Sequence, residues 1–363
     1  MSAIARVSTQ IARLALHEPL ATSIRTYNHL DIVLVQVQSD DGSAGWGEAR
    51  ECRQITGETQ AGIVEAVNSY LGPALIGLDP CDINEAHRRM DGVLFANTAA
   101  KSAIDMALHD LAGRLSGLPV CTLLGGGPGP PISSSKAVSV GDADSMVDAA
   151  RRFSDAGFLT LKIKTGVDSE CELNAIAAIR DAVGPDVHIK LDANQGWTLP
   201  QATDFLAAVQ QYGIQMVEQP LAAWDLNGHA ELRRRTPIPV MLDEGVHGPR
   251  DVLRALEADA ADYINIKLIK TGGLAPAREL AAICDAAGIM CQIGTLDSTI
   301  GSAAAAHLVH ACRIIRFAEI NGPSRMSSDV AEGFRIDNGH AIISGGPGLG
   351  IMVLDEIIAG AVE

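Results

Sequence analysis

Beyond residue 135 the chain settles into a regular alternation of hydrophobic and polar positions. Short apolar runs that read as strands recur at 137–140, 160–164, 188–192, 215–218, 240–243, 263–267, 290–294 and 315–319. Between them lie stretches with helical spacing, such as 145–156, 172–183, 201–212 and 275–287. The seven steps from residue 138 to residue 319 average about 26 residues, the length of one strand–helix unit. Strand and helix alternating in this way predict a parallel sheet, and eight such units close as a barrel. An open doubly wound sheet is the rival architecture. It is disfavoured because the dinucleotide-binding fingerprint is absent and the strand count is eight.

The first third is patterned differently. Residues 32–37 form a β-rich run, Asp40-Asp41-Gly42 is a turn signal, and 44–49 reads as the returning strand. Helical periodicity follows at 59–70 and again at 100–115, where Ile104, Ala107, Leu108 and Leu111 share one face. Residues 125–131, Gly-Gly-Gly-Pro-Gly-Pro-Pro, are the densest Gly/Pro run and the best linker. A phosphate-binding loop is the competing reading. It fails because two prolines stand where a helix N-terminus should begin.

Composition narrows the class. The 363 residues are 47% hydrophobic and 20% charged, which suits a globular chain of one large domain plus a smaller one. Lys and Arg number 28 and Asp and Glu 44, a net charge of −16. That argues against nucleic acid and against an anionic membrane surface as partners. No apolar run is long enough to span a bilayer, and the N-terminal residues lack a signal peptide's apolar core. Seven scattered cysteines without a CxxC pair speak against a disulfide framework or structural zinc. The expectation is a reduced, cytoplasmic protein. His109, His307 and His310 fall in helical patterns and read as packing or surface residues.

The chemistry lies in the strand register. Lys162 and Lys164 end the second predicted strand, Asp192 the third, Glu218 the fourth, Asp243 the fifth, Lys267 the sixth and Glu319 the eighth. In a barrel of this kind those C-terminal ends form the active-site face. Residues two apart on a strand share a side, so Lys162 pairs with Lys164 and, if the strand continues, Asp192 with Asn194. Any one acid alone reads as a loop carboxylate. Three at consecutive strand ends repel unless a hard divalent cation neutralises them, and all-oxygen ligation suits Mg2+, with Mn2+ as a substitute. A lone lysine is ordinarily a solvated charge, yet LKIKT and IKLIK set lysines inside apolar strands. A metal ion and a second ammonium would push such a lysine toward its neutral, basic form. Lysines on opposite sides of a substrate can remove and return a proton next to a carboxylate. The resulting enediolate needs a cation beside it.

The motifs LKIKTG (161–166), KLDANQGW (190–197), VEQPL (217–221), LDEG (242–245), INIKLIKTGG (264–273) and GGPGLGI (345–351) together resemble the enolase superfamily, and within it the muconate-lactonizing-enzyme subgroup, over nearly the whole chain. Sites of that superfamily use a Lys or His base with Mg2+. The resemblance implies an N-terminal α+β capping domain at 1–130 over a modified TIM barrel, (β/α)7β, at 131–325. The segment 326–363 returns to complete the cap. It implies Mg2+ on Asp192, Glu218 and Asp243, with Lys164 and Lys267 as the acid/base pair and Lys162 tuning Lys164. Asn194 and Glu244 match positions beside the metal and the second lysine. Family habit implies a homo-oligomer.

Within the subgroup the cap resembles dipeptide epimerases. SIRTYNH (23–29) and ITGET (55–59) correspond to their two specificity loops, which makes Ile55 and Thr56 candidate substrate contacts. Arg25 matches an arginine that pairs with a substrate side-chain carboxylate. A surface salt bridge is the competing reading for Arg25. One departure concerns the eighth strand, where dipeptide epimerases carry Asp-x-Asp to hold an ammonium. This chain has Glu319-Ile320-Asn321, one negative charge instead of two, and the stretch also resembles the Glu-x-x-Gly-Pro of muconate cycloisomerases. Asp297 is the candidate for a compensating charge. The implied activity is a magnesium-dependent racemase or epimerase acting on a small carboxylate, either a dipeptide or an N-acyl amino acid. A muconate-type cycloisomerase or a dehydratase is the alternative on the same site. A non-catalytic binding protein is disfavoured, since no lysine or acid of the set is missing.

Overall fold

The computed structural model describes residues 2–358. Eight parallel strands are hydrogen-bonded in sequence order: Lys136–Val138, Thr160–Lys164, His188–Asp192, Ile214–Glu218, Val240–Leu242, Tyr263–Ile266, Met290–Thr295 and Ile315–Ile320. We number these as the first to eighth barrel strands. The ring is joined between first and last by Ser135, whose N–H donates to the Ala318 carbonyl at 2.8 Å. The Ile320 N–H donates to Ser134 Oγ at 3.0 Å across the same seam.

Alternation along each strand sends one set of side chains outward and the other into the barrel. Leu161, Ile163, Ile189 and Leu191 are buried beneath the surrounding helices, which leaves Lys162, Lys164, Lys190 and Asp192 for the interior. Several helices begin where the sequence supplies an acceptor. Asp142, Asp168 and Asp225 each take the backbone N–H three residues on. Among the described residues no helix is long and apolar enough to cross a membrane.

The cap is an antiparallel meander of Ile4–Ala21, Thr26–Ser39 and Ala44–Arg50. The helix Thr98–Ser116 lies across it, with every residue from Ala99 to Gly113 buried. Gly47 permits the close approach, since a Cβ there would overlap the Ala103 carbonyl. The loop before the second cap strand reaches the barrel mouth, where Ser23 Oγ donates to the Ala193 carbonyl at 2.8 Å.

The structure departs from the sequence reading in several places. The first cap strand, Ile4–Ala21, was not anticipated, because its alternation is broken by Pro19 and by a register shift between Ala15 and Leu20. The helix Ile83–Val93 was also missed, since it buries just Ala86 and Met90, a single narrow stripe. The helix expected at 59–70 is Gln60–Glu65 continued by a widened turn, Ala66–Leu71. In IKLIK the sixth strand stops at Ile266, so Lys267 stands just past it and Lys270 lies in a short helix, Leu268–Thr271.

The closing segment is described to residue 358; residues 359–363 of the expected 326–363 segment lie outside the described residues. A hairpin, Phe334–Asp337 with His340–Ile343, pairs with Ile132–Ser133. The glycine-rich stretch then docks on the cap through one buried carboxylate. Asp110 accepts the N–H of Leu349 at 2.8 Å, the N–H of Trp46 at 3.0 Å and Arg114 Nε at 2.9 Å. Removing it strands two buried donors. Asp110→Ala should therefore cost about 2–4 kcal/mol of folding stability, read as a lower denaturant midpoint and faster proteolysis near residues 345–351. An unchanged midpoint would show that this carboxylate does not hold the segment.

Candidate active site

Asp192 and Glu218 face each other in register across the third and fourth strands, and Asp243 stands one residue past the fifth. Lys164 is in register with Asp192 from the second strand. The sixth strand, which carries Lys267 to the rim, lies four strands away in a ring of eight. The two lysines therefore project from opposite walls. All three acids are buried.

Each acid is engaged by ammonium groups. Lys164 Nζ is 2.5 Å from Asp192 Oδ2 and 2.9 Å from Asn194 Oδ1. Lys162 lies 3.2 Å from Asp192, 3.3 Å from Glu218, and in closer contact with Glu319. Asp243 holds Lys267 on one oxygen and Lys270 on the other, the latter at 2.6 Å. Burial alone would lower Lys162, but the charges of Glu218, Glu319 and Asp192 outweigh it and hold the ammonium well above its usual range. Lys267 is likewise raised, against burial, by Asp243, Glu244 and Glu218. In this arrangement the acids' field dominates.

Asn194 joins the site by a route the strand argument did not foresee. Its φ is 42°, so the strand geometry has already ended there. The left-handed turn still brings Oδ1 to Lys164, while Nδ2 donates to Glu244 Oε1 at 2.9 Å. Gln219 also takes positive φ, 38°. Its Oε1 accepts the N–H groups of Asp243 and Gly245 at 2.8 and 3.0 Å, which ties the fifth-strand loop to the fourth.

A polar layer beneath the acids was not singled out from sequence. Glu218 accepts Asn265 Nδ2 at 2.7 Å and Gln292 Nε2 at 3.1 Å. Lys190 donates to Gln292 Oε1 at 2.9 Å, and burial lowers it to about 8. Lys190, Asn265 and Lys270 sit inside the quoted motifs, and their spacing was the available signal. Gln292 lay in a strand that looked simply apolar.

Among the described residues no three acidic, His or Cys side chains close on one point as a finished metal shell. The donor set nevertheless fits a hard divalent cation. It is all carboxylate oxygen and its members repel one another. Burial pushes Glu218 up to about 7; Lys162 opposes that shift, and the charges of Asp192 and Asp243 add to it. Glu244 rises to about 7 through burial and Asp243. Its Oε2 is buried without a hydrogen-bond donor among the described residues. Mutually repelling carboxylates with an unused oxygen are what a Mg2+-type ion satisfies.

Above the acids a cleft of about 640 Å3, solvent at its mouth included, opens toward the cap. Ile55, Glu319 and Asn321 are in its wall, together with Tyr27, Arg50 and Arg325. Asn321 is fixed by donating to the Ser135 carbonyl. Three expected contacts are not brought into the wall. Arg25 lies over the Tyr27 ring, 4.3 Å from its centroid, and reaches Gln54 at 3.3 Å. Thr56 turns back on the Cys52 carbonyl. Asp297 is buried beside Arg50, 3.5 Å away, so its charge is directed at the cap and does not compensate at the eighth strand.

Comparison with known proteins agrees with this geometry. Residues 4–125 match the mandelate racemase / muconate lactonizing enzyme N-terminal domain, and residues 145–357 match the enolase C-terminal domain-like family. The chain is 36% identical over 344 residues to the L-Ala-D/L-Glu epimerase of Clostridium acetobutylicum, covering 93% of this chain and 95% of that one. It is 32% identical over 350 residues to the N-succinyl-L-Arg/Lys racemase of Bacillus cereus, covering 95% and 94%. Among solved structures, the dipeptide epimerase of Cytophaga hutchinsonii, complexed with Mg and D-Ala-L-Val, superposes with a TM-score of 0.95. It is 28% identical, with 99% of this chain and 98% of that one covered.

Behind the cleft wall Glu48 is buried. It accepts the Ser298 N–H at 2.8 Å and meets the Ser298 hydroxyl. Burial first, then the charge of Asp297, pushes it up to about 8 from an ordinary 4.5. A carboxyl raised on folding contributes stability that is complete below pH 4.5 and is lost as pH rises through about 8. Between those limits wild-type protein should lose up to about 1.4 kcal/mol per pH unit relative to Glu48→Gln, measured by denaturant unfolding. Parallel stability curves for the two would show that Glu48 is already ionised in the fold.

Proposed function

The chain belongs to the mandelate racemase / muconate lactonizing enzyme family and is an isomerase, and we propose that it racemises or epimerises the α-carbon of N-acylated amino acids or dipeptides through an enediolate. The observation that carries this reading is the placement of Lys164 and Lys267 on opposite walls, both at the edge of one acid cluster. The relatives from C. acetobutylicum and B. cereus support it, since their names describe inversion at an amino-acid α-carbon.

In the proposed reaction Asp192, Glu218 and Asp243 would hold Mg2+, or Mn2+ in its place. The ion supplies positive charge for the substrate carboxylate and for the enediolate oxygens. Lys164 Nζ, as the neutral amine, takes the α-proton from one face; the C–H electron pair makes the bond between Cα and the carboxylate carbon a double bond, and the carboxylate π pair moves onto oxygen. Lys267, as the ammonium, gives a proton to the opposite face of the same carbon. The reverse sequence converts the other configuration. Lys162 stays clamped among Asp192, Glu218 and Glu319 and fixes the field in which Lys164 works. Asn194 holds Lys164 in line by accepting its hydrogen bond. Cap residues such as Tyr27 and Ile55 close the far side of the cleft.

A muconate-type cycloisomerase is the second reading, drawn from Glu319 with Gly322-Pro323. Consumption of cis,cis-muconate without α-proton exchange on any amino-acid derivative would favour it.

In deuterated solvent, active substrates should gain deuterium at the α-carbon. Lys164→Ala and Lys267→Ala should each lower racemisation by at least about 10²–10⁴-fold with unchanged circular dichroism. Near-normal turnover in either variant would contradict the assigned roles. Chelation with EDTA should abolish turnover and added Mg2+ or Mn2+ restore it. Full activity after exhaustive chelation would remove the metal from the proposal.

A further inference from the structure

A lysine with no role in the proton transfers is buried where the cap meets the barrel. Lys136 opens the first barrel strand and is 4% exposed. Its Nζ donates to Ser324 Oγ at 2.6 Å, and that hydroxyl in turn donates to the Asn321 carbonyl at 2.8 Å. The rings of Phe153 and Phe158 stand with their centroids 5.5 and 5.4 Å from Nζ. Among the described residues no carboxylate forms an ion pair with it. Burial, with the charge of Arg325 adding to it, lowers Lys136 to about 6 against the weaker pull of Glu319 and Glu18. This is a buried ammonium without its counter-ion, an arrangement that costs free energy until a negative charge arrives.

The surroundings repeat the deficit. Arg325, in the turn after the eighth strand, donates to neutral oxygens, Asn321 Oδ1 at 3.2 Å and the Ala137 carbonyl at 2.8 Å. Burial lowers its guanidinium as well, with Glu319 and Glu18 opposing. Lys136 and Arg325 line one pocket of about 500 Å3, solvent at its mouth included, which His17, Glu18 and Arg152 complete. Glu18 is the single carboxylate in that wall. It is committed to Arg152, whose Nη1 and Nη2 it meets at 2.7 and 3.1 Å, and both members of this pair are largely exposed. The pair cancels its own charge and leaves Lys136 and Arg325 uncompensated. An anion between them would supply acceptor and charge together and draw Lys136 back to its ammonium form. Lys136 takes no part in the wall of the acid-rimmed cleft, so the pocket is a separate one that shares Arg325 with it.

We propose that this pocket is a binding site for a small oxyanion, held between Lys136 and Arg325 and distinct from the cleft in which the isomerisation takes place. Two sources satisfy this chemistry, a phosphate group and a carboxylate. The proposal does not depend on the racemase reading.

The test titrates the full chain, with Mg2+ present, with inorganic phosphate and separately with acetate, at about pH 6, where the free lysine is half protonated. Calorimetry and thermal unfolding are the readouts. Wild-type protein should bind at least one of the two anions and unfold at a higher temperature as its concentration rises. The tighter of the pair identifies the source. Lys136→Met should weaken that binding by about 10- to 100-fold and remove the thermal gain, with unchanged circular dichroism. Selenate soaked into wild-type crystals, in a lattice that leaves the pocket open, should give an anomalous peak between Lys136 and Arg325. If Lys136→Met does not fold, that peak decides. A wild-type protein that binds neither anion, an isotherm unchanged in a folded Lys136→Met, or a pocket left empty at saturating selenate would each overturn the proposal.

Discussion

Asp192, Glu218, Asp243 and Glu244 are carboxyl groups taken out of water at one rim of a barrel, and their mutual repulsion has to be offset for the rim to exist. Ammonium groups do so from several directions. Lys164 and Lys162 approach from the second strand, and Lys267 and Lys270 from the sixth strand and the helical turn after it. Below, Asn265 and Gln292 saturate Glu218 with neutral donors. Isolated buried charges of either sign would be prohibitive, whereas the interlocked set is sustainable. The lysines suited to proton transfer are thus also the groups that keep the acids in place.

That balance constrains the rest of the fold. The backbone leaves strand geometry at Asn194 and Gln219, positions of positive φ, to aim side chains that cross-link the third-, fourth- and fifth-strand loops. Such conformations cost about 1 kcal/mol or more each and persist where their surroundings hold them. Here the surroundings are a network of buried hydrogen bonds. Ser23 docks its loop on the Ala193 carbonyl, and Arg50 and Tyr27 bring polar and aromatic surface over the acids. Asp110 anchors the returning C-terminal segment to both the cap strand and the cap helix. In the proposed reaction chemistry resides in short barrel strands, and selectivity in a meander joined to them by a few polar contacts.

Much of the site could be read before any coordinates. The lysines of LKIKT, the acid of KLDAN and the acid of VEQP fall at strand ends because an apolar alternating run leaves a charged residue few places to stand. Other elements were hidden for physical reasons. The strand Ile4–Ala21 pairs on one side with the second cap strand and carries a bulge, so its alternation is blurred. Gln292 looked like a filler in an apolar run, yet it accepts from Lys190 and donates to Glu218. Arg25 and Arg50 could not be ranked from sequence, because both follow turn-prone or strand-end positions that say nothing about the direction of a long side chain.

Local pattern determined the parallel eight-stranded barrel, the candidate acids at its rim and the placement of Lys164 opposite Lys267. Strand period, helix period and repeat length are properties of neighbouring residues, and a closed ring converts them directly into positions. Tertiary structure alone decided which cap residues reach the cleft, which carboxylates are consumed by internal ion pairs, and how Asp297 comes to face Arg50. These depend on how segments some 250 residues apart, such as Glu48 and Ser298, pack against one another. A long side chain in such a contact is oriented by whatever the distant segment offers, and no periodicity in the sequence records that.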